Sequence, residues 1–199
     1  MKVEQTLQKM MGTGVAILLA ASLCACGGSN GKTAKETATK DPKQQEVKAE
    51  IPEELHATLK DGVYTSTGGA IQITVPKDWT ISEEDATVLV AGKKEDTKDC
   101  VTVQYTAKDE QFSEYTVEDF EKYYNSILDN YKAVSLDKTK IAELDAVCLE
   151  YTFSTEAADV TGYEYFIDGN HTYMIGFIDV SGELKDQIAD ILDTVTICK

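Results

Sequence analysis

The sequence predicts an α+β domain, an antiparallel β-sheet with helices packed on its faces. Three observations carry that prediction. Apolar and polar residues alternate through 71–75, 101–105 and 147–153, the period of half-buried strands. Two stretches, after Thr116 and after Ser181, carry apolar residues at helical spacing. Two strand-like runs between 162 and 180 flank Asp168, Gly169 and Asn170, residue types that suit a hairpin turn because Asp and Gly tolerate positive φ.

The folded pattern starts past Leu59. Residues 62–67 read as a short first strand, and Ile71, Ile73 and Val75 alternate with Gln72 and Thr74 in a second, closed by Pro76. Residues 87–91 are apolar, and Val101, Val103 and Tyr105 alternate with Thr102 and Gln104, giving a third and a fourth strand. Thr116 and Asp119 form a capping box for a helix whose stripe, Val117, Phe120, Tyr124, Ile127, Leu128 and Tyr131, reaches residue 131. A strand near 138–142 leads to 146–154, where Val147, Leu149, Tyr151 and Phe153 alternate with Cys148, Glu150 and Thr152. Residues 173–178 are apolar on both faces apart from Gly176, which predicts a central strand covered from each side. Ser181 is the expected cap of a last helix, with Leu184, Ile188, Ile191, Leu192 and Val195 in one stripe. A domain of about 140 residues buries about two-thirds of the surface its unfolded chain exposes, so it need not rely on disulfides.

Ahead of the domain, Lys2 and Lys9 precede an apolar run from Gly12 to Leu23, about a dozen residues and too short to span a membrane. That run ends in Leu23, Cys24, Ala25, Cys26, with Gly27 and Gly28 following, which resembles the lipobox of bacterial lipoproteins. Cys24 fits less well, because Leu23 stands where a small residue is wanted. The resemblance implies cleavage between Ala25 and Cys26 and a diacylglycerol anchor with palmitate-type chains on the Cys26 thiol. Two chains give stable anchoring where one gives marginal binding. The expected organisation is a lipoprotein signal peptide over 1–25, the lipidated cysteine and a disordered tether over 26–58, and a globular domain over 59–199. The tether is rich in Gly, Ser, Thr, Lys and Glu, and it spans on the order of 30 Å root mean square. The expected location is the outer face of a cell membrane.

Acidic residues outnumber basic ones 35 to 19, every basic residue is lysine, and the net charge is -16. A nucleic-acid partner is therefore not expected, since phosphate binding needs a positive face and uses arginine's fork. The folded part would also be repelled by anionic headgroups, so membrane contact is assigned to the lipid anchor.

The chain also resembles the PsbP-like superfamily over about residues 62–197. A strand runs into a Pro-x-x-Trp corner at Pro76, Lys77, Asp78 and Trp79, a central amphipathic helix follows four strands, and a closing helix ends in Val195, Thr196 and Ile197. The resemblance implies an α/β/α sandwich and proteins that mostly bind or assemble other proteins. It transfers no functional residue.

Candidate chemistry is sparse. His56 and His171 have no partner at ligand spacing, so no metal site and no cofactor are expected. Cys100, Cys148 and Cys198 are an odd set. Alternation places Cys100 and Cys148 on one wetter side of the sheet, where a bridge between them stays open. Trp79 reads as a core plug, and the runs Glu83, Glu84, Asp85 and Glu95, Asp96 as solvated loops. Tyr123, Tyr124, Tyr163, Tyr165 and Tyr173 are candidates to line a pocket. With no phosphate cradle, nucleophile elbow or metalloprotease motif, no catalytic residue is assigned and the chain is not expected to be an enzyme. The expectation is a membrane-anchored extracytoplasmic lipoprotein that binds a protein or assists envelope assembly. The alternative is one that binds a small solute or glycan.

Overall fold

The computed structural model describes residues 58–74, 76, 79–85, 88–93, 99–109, 114–155 and 158–198. The expected signal peptide, Cys26, the expected tether up to residue 57 and His56 lie outside them, as do the acidic pair at 95–96 and the side chain of Trp79. The described strands are β1 (Thr58–Lys60), β2 (Val63–Thr65), β3 (Ile71–Thr74), β4 (Trp79–Asp85), β5 (Val88–Lys93), β6 (Cys100–Ala107), β7 (Asp129–Ile141), β8 (Leu144–Ser154), β9 (Asp159–Asp168), β10 (His171–Asp179) and β11 (Thr196–Ile197). The helices are α1 (Val117–Tyr124) and α2 (Lys185–Leu192). All pairings are antiparallel, in a four-stranded sheet ordered β1-β2-β3-β11 and a seven-stranded sheet ordered β4-β5-β6-β10-β9-β8-β7.

Three layers follow from which faces are apolar. On one face of the large sheet, Tyr131, Leu149, Tyr151, Phe166 and Met174 pack under Phe120 and Tyr124 of α1. On the other, Val101, Val103, Ile167, Ile175 and Phe177 meet Tyr64, Ile71 and Ile73 of the small sheet and Leu184, Ile188 and Ile191 of α2. The predicted α+β class holds, with one refinement: the second face is covered by a sheet and a helix together. An eight-residue helix is about 12 Å long. Seven strands span about 30 Å, so α2 cannot cover the face alone.

The strand predicted over 62–67 is β2, and β1, which the sequence did not lead one to expect, precedes it. Asp61 (φ 52°) and Gly62 (φ 82°) form a two-residue turn joining β1 to β2, the Asp-Gly pattern suited to positive φ at both positions. β3 ends at Thr74 and β4 begins at Trp79 in the other sheet, so the Pro-x-x-Trp segment is where the chain changes sheets. Glu83, Glu84 and Asp85, expected in a loop, belong to β4, an edge strand whose register with β5 shifts between Ser82 and Asp85. Charged residues are tolerated at a sheet edge, which the composition argument missed.

The first helix starts as expected and stops early. Thr116 Oγ1 accepts from the Asp119 N–H, and Asp119 Oδ2 accepts from the Thr116 N–H at 3.0 Å, closing the capping box. The helix ends at Tyr124, while Ile127 and Leu128 lie in a turn and Tyr131 sits on β7. Tyr131 is at helical spacing from Tyr124 by coincidence. The thirteen-residue β7 runs along β8 instead, entered through Asn130 at φ 54°, and ten of its residues pair with that strand. Pairing against an apolar strand outweighs helix periodicity here.

β8, β9 and β10 match the predicted runs, and β10 is buried from Thr172 to Asp179 between β6 and β9. The β9–β10 turn has no positive-φ residue, contrary to the expected reason for its glycine. Gly169 is needed for room, because a Cβ there would come within 2.8 Å of the Tyr173 ring.

Candidate functional site

The short span of α2 leaves a groove of about 580 Å³ along its flank. Its floor is the end of β7 with Tyr163 and Tyr165 of β9, and its wall is Lys185, Ile188, Ala189 and Leu192 of α2. Thr139, Lys140, Ala189 and Asp193 on the rim are exposed, so the groove opens toward solvent beside β7, the last strand of the sheet order. Lys185 Nζ stands 5.4 Å from the Tyr163 ring centroid and 3.9 Å from Glu150 Oε1. Both are weak solvent-exposed attractions that leave the ammonium able to turn to another partner.

The rim includes a turn that its residue types do not favour. Ile141 pairs with Leu144, and the two residues between them, Ala142 (φ 50°) and Glu143 (φ 66°), are both left-handed. Two-residue hairpins of this kind favour Asn-Gly, and non-glycine residues there cost about 1 kcal/mol or more each. Lys140 and Asp145 brace the hairpin across 2.7 Å, holding the lysine's pKa up and the aspartate's down through their hydrogen bond.

The N-terminus of α2 is filled by the protein itself. Asp179 Oδ1 accepts from the N–H groups of Gly182 (2.7 Å) and Leu184 (3.3 Å), and Oδ2 from that of Lys185 (3.3 Å). Asp99 Oδ1 likewise accepts from Val180 and Ser181 at 2.8 and 2.9 Å. Ser181, the expected cap, is not the N-cap. Its hydroxyl donates to Asp99 and accepts from the Glu183 N–H. A helix start already holding a carboxylate is no anion site.

Cys100, Cys148 and Cys198 form no disulfide with one another. Cys100 packs among the residues under α1, whereas Cys148 sits beside Tyr165 on the opposite face, with β10 and β9 between their strands. The expectation that they share one side fails because side-chain parity across three pairings decides the face, and neither sequence run reveals that register. Burial pushes the Cys148 thiol up, partly offset by the hydrogen bond donated by Tyr165. That is the opposite of an activated nucleophile. His171 is half-buried, edge-on to Tyr105 at 5.1 Å between ring centroids, and its Nδ1 has no hydrogen-bond partner. Among the described residues no group of three or more His, Cys, Asp or Glu side chains could hold a metal ion, and no helix is long and apolar enough to cross a membrane.

Of the tyrosines singled out in the sequence, Tyr163 and Tyr165 line the groove, Tyr173 is buried next to His171, and Tyr124 belongs to a second polar cluster. There, under α1, Glu164 is 1% exposed and accepts a 2.8 Å hydrogen bond from Tyr124. Burial raises its pKa to about 7, and the tyrosine's hydrogen bond pulls the other way. The Tyr124, Tyr131 and Tyr151 rings lie with centroids 4.8, 5.3 and 5.9 Å apart. The hydroxyls of Tyr131 and Tyr151 are buried with no hydrogen-bond partner. The sequence reading passed over Glu164. The available signal was a charge on a strand that pairs with one apolar on both faces, where no solvated side exists.

No family model and no curated protein matches the chain. Solved structures do match. One is a protein from Bacteroides thetaiotaomicron VPI-5482, at TM-score 0.52 and 14% identity, covering 69% of this chain and 48% of that one. Another is the cyanobacterial PsbP, CyanoP, from Synechocystis sp. PCC 6803, at TM-score 0.51 and 8% identity, covering 72% of this chain and 94% of that one. The chain thus spans about half the length of the Bacteroides protein. At these identities the likeness is one of fold: among the described residues, two antiparallel sheets with two helices, an arrangement similar to that of CyanoP.

Proposed function

We propose that this chain is a lipid-anchored, non-catalytic binding module at the outer face of a membrane, and that it takes an extended segment of a partner protein into the groove between α2 and β7–β9. The groove is the observation that carries the reading. It offers Tyr163, Tyr165, Ile188 and Leu192 as apolar and aromatic area, flanked by the ammonium groups of Lys140 and Lys185. Its open rim suits a chain segment lying along it better than a solute enclosed within it. The strained Ala142–Glu143 turn supports the same place, because backbone strain concentrates where function holds it. The anchor rests on the lipobox ending in Cys26.

A photoreactive side chain at Ala189, in the anchored chain in cells, tests this. The reading predicts a discrete protein adduct from Ala189 that a Glu118 control on α1 does not give and that Tyr165→Ala weakens. Equal adducts from both positions, or none, contradict it. Glycan or small-amphiphile binding that Tyr165→Ala abolishes, with no protein adduct, would favour the solute reading instead.

A further inference from the structure

The cluster beneath α1 has a different character from the groove. Glu164 sits between glycines: Gly162 two residues before it on the same face, and Gly176 opposite it on β10. Tyr151 fills the space over Gly162 so closely that a Cβ there would fall 2.2 Å from its Cζ. The carboxyl group is therefore held in a closed chamber. Facing it are Tyr123 and Tyr124 from α1, with Glu121 nearer Tyr131; Tyr131 from β7; Leu149 and Tyr151 from β8; Gly176 and Met174 from β10; and, across Gly176, the buried Thr102 of β6. Among the described residues around the chamber the other charged group is also a carboxylate, Glu121, so an ionised Glu164 meets no countercharge from them. The hydroxyl that donates to Glu164 belongs to Tyr124, the last residue of α1.

We propose that the Glu164–Tyr124 pair is a proton-sensitive latch that seats α1 on the sheet. Neutral Glu164 rests in the closed chamber and keeps Tyr124 and its helix in place. When the carboxyl loses its proton to solvent, the charge is solvated only if the cover lifts. The part of the cover that can lift is α1, a two-turn helix followed by a turn, because Tyr151, Met174 and Gly176 stand on strands paired on both sides, and Tyr131 stands on β7, which is paired to β8 on either side of its register shifts. Lifting α1 uncovers the ring faces of Tyr131, Tyr151 and Phe166. The latch is independent of the groove, which lies on the opposite face, so either can fail without the other.

Amide hydrogen exchange on the full chain, corrected for intrinsic rates, tests the latch. The protection of Phe120 through Tyr124 is expected to fall about tenfold from about pH 5.5 to about pH 8.5, while that of β10 holds. In Glu164→Gln the fall disappears. In Tyr124→Phe it moves to higher pH, because the hydrogen bond that favours the ionised form is gone, and this variant serves if the glutamine variant does not fold. Protection of α1 that does not change with pH, or that changes equally in wild type and Glu164→Gln, overturns the latch.

Discussion

Tyr124 Oη donates to Glu164 Oε2 across 2.8 Å, tying the end of α1 to a carboxyl group near the middle of β9. Folding raises the carboxyl pKa from 4.5 to about 7, chiefly by burial. The folded chain thus keeps a proton that the unfolded chain has released, so this contribution to stability is fully present below about pH 4.5 and lost as pH rises through about 7. An upper bound is about 3 kcal/mol, and local opening of α1 truncates it. Urea midpoints across pH should show wild type weakening over that window and Glu164→Gln running flat. Parallel profiles would refute the assignment.

Gly162→Ala should destabilise by about 3 kcal/mol, because the added methyl overlaps the Tyr151 ring, held by its stack with Tyr124. Combining it with Tyr151→Leu should recover part of that loss in denaturant titrations. A loss below about 1 kcal/mol in the single variant would mean the ring is not held there.

Asp179→Ala removes the acceptor for three N–H groups at the start of α2 and should cost about 2–4 kcal/mol, against about 1 kcal/mol for Ser181→Ala. Chemical denaturation of the two variants orders them. The reverse order would return the cap to Ser181.

Replacing Ala142 with Asn and Glu143 with Gly suits both residues to left-handed backbone and should stabilise by about 1 kcal/mol. If the turn's strain serves the groove, adduct formation at Ala189 should fall in the same variant. Unchanged adducts would make the strain incidental.

With Glu164 protonated and α1 seated, thiol labelling of the folded domain should modify Cys198 rapidly, Cys148 slowly and Cys100 only on unfolding, following their exposed, half-buried and fully buried positions. Recovery of a Cys100–Cys148 crosslink from native protein would contradict their placement on opposite faces.

What could be read from the sequence was what depends on neighbours along the chain. Val147 to Phe153 alternate because β8 has one drier face, and Thr116 and Asp119 cap α1 within four residues. What could not be read depends on distant partners. Tyr131 keeps helical spacing but lies on β7, whose place is set by pairing with β8, and the acceptors at the start of α2 include Asp99, 81 residues before Val180. The groove was illegible for the same reason. Tyr163 and Tyr165 were candidates, but Lys185 and the Ala142–Glu143 turn join them only once α2 is laid across a sheet too wide for it.

The proposed role at a membrane depends on the amino terminus that the chain carries in cells. Intact-mass analysis of the cell-derived protein tests it most directly. The account predicts a chain beginning at Cys26 and heavier than its residues by at least a diacylglyceryl group, and a Cys26→Ser variant that loses that mass. A mature chain starting elsewhere, with every cysteine unmodified, would contradict it.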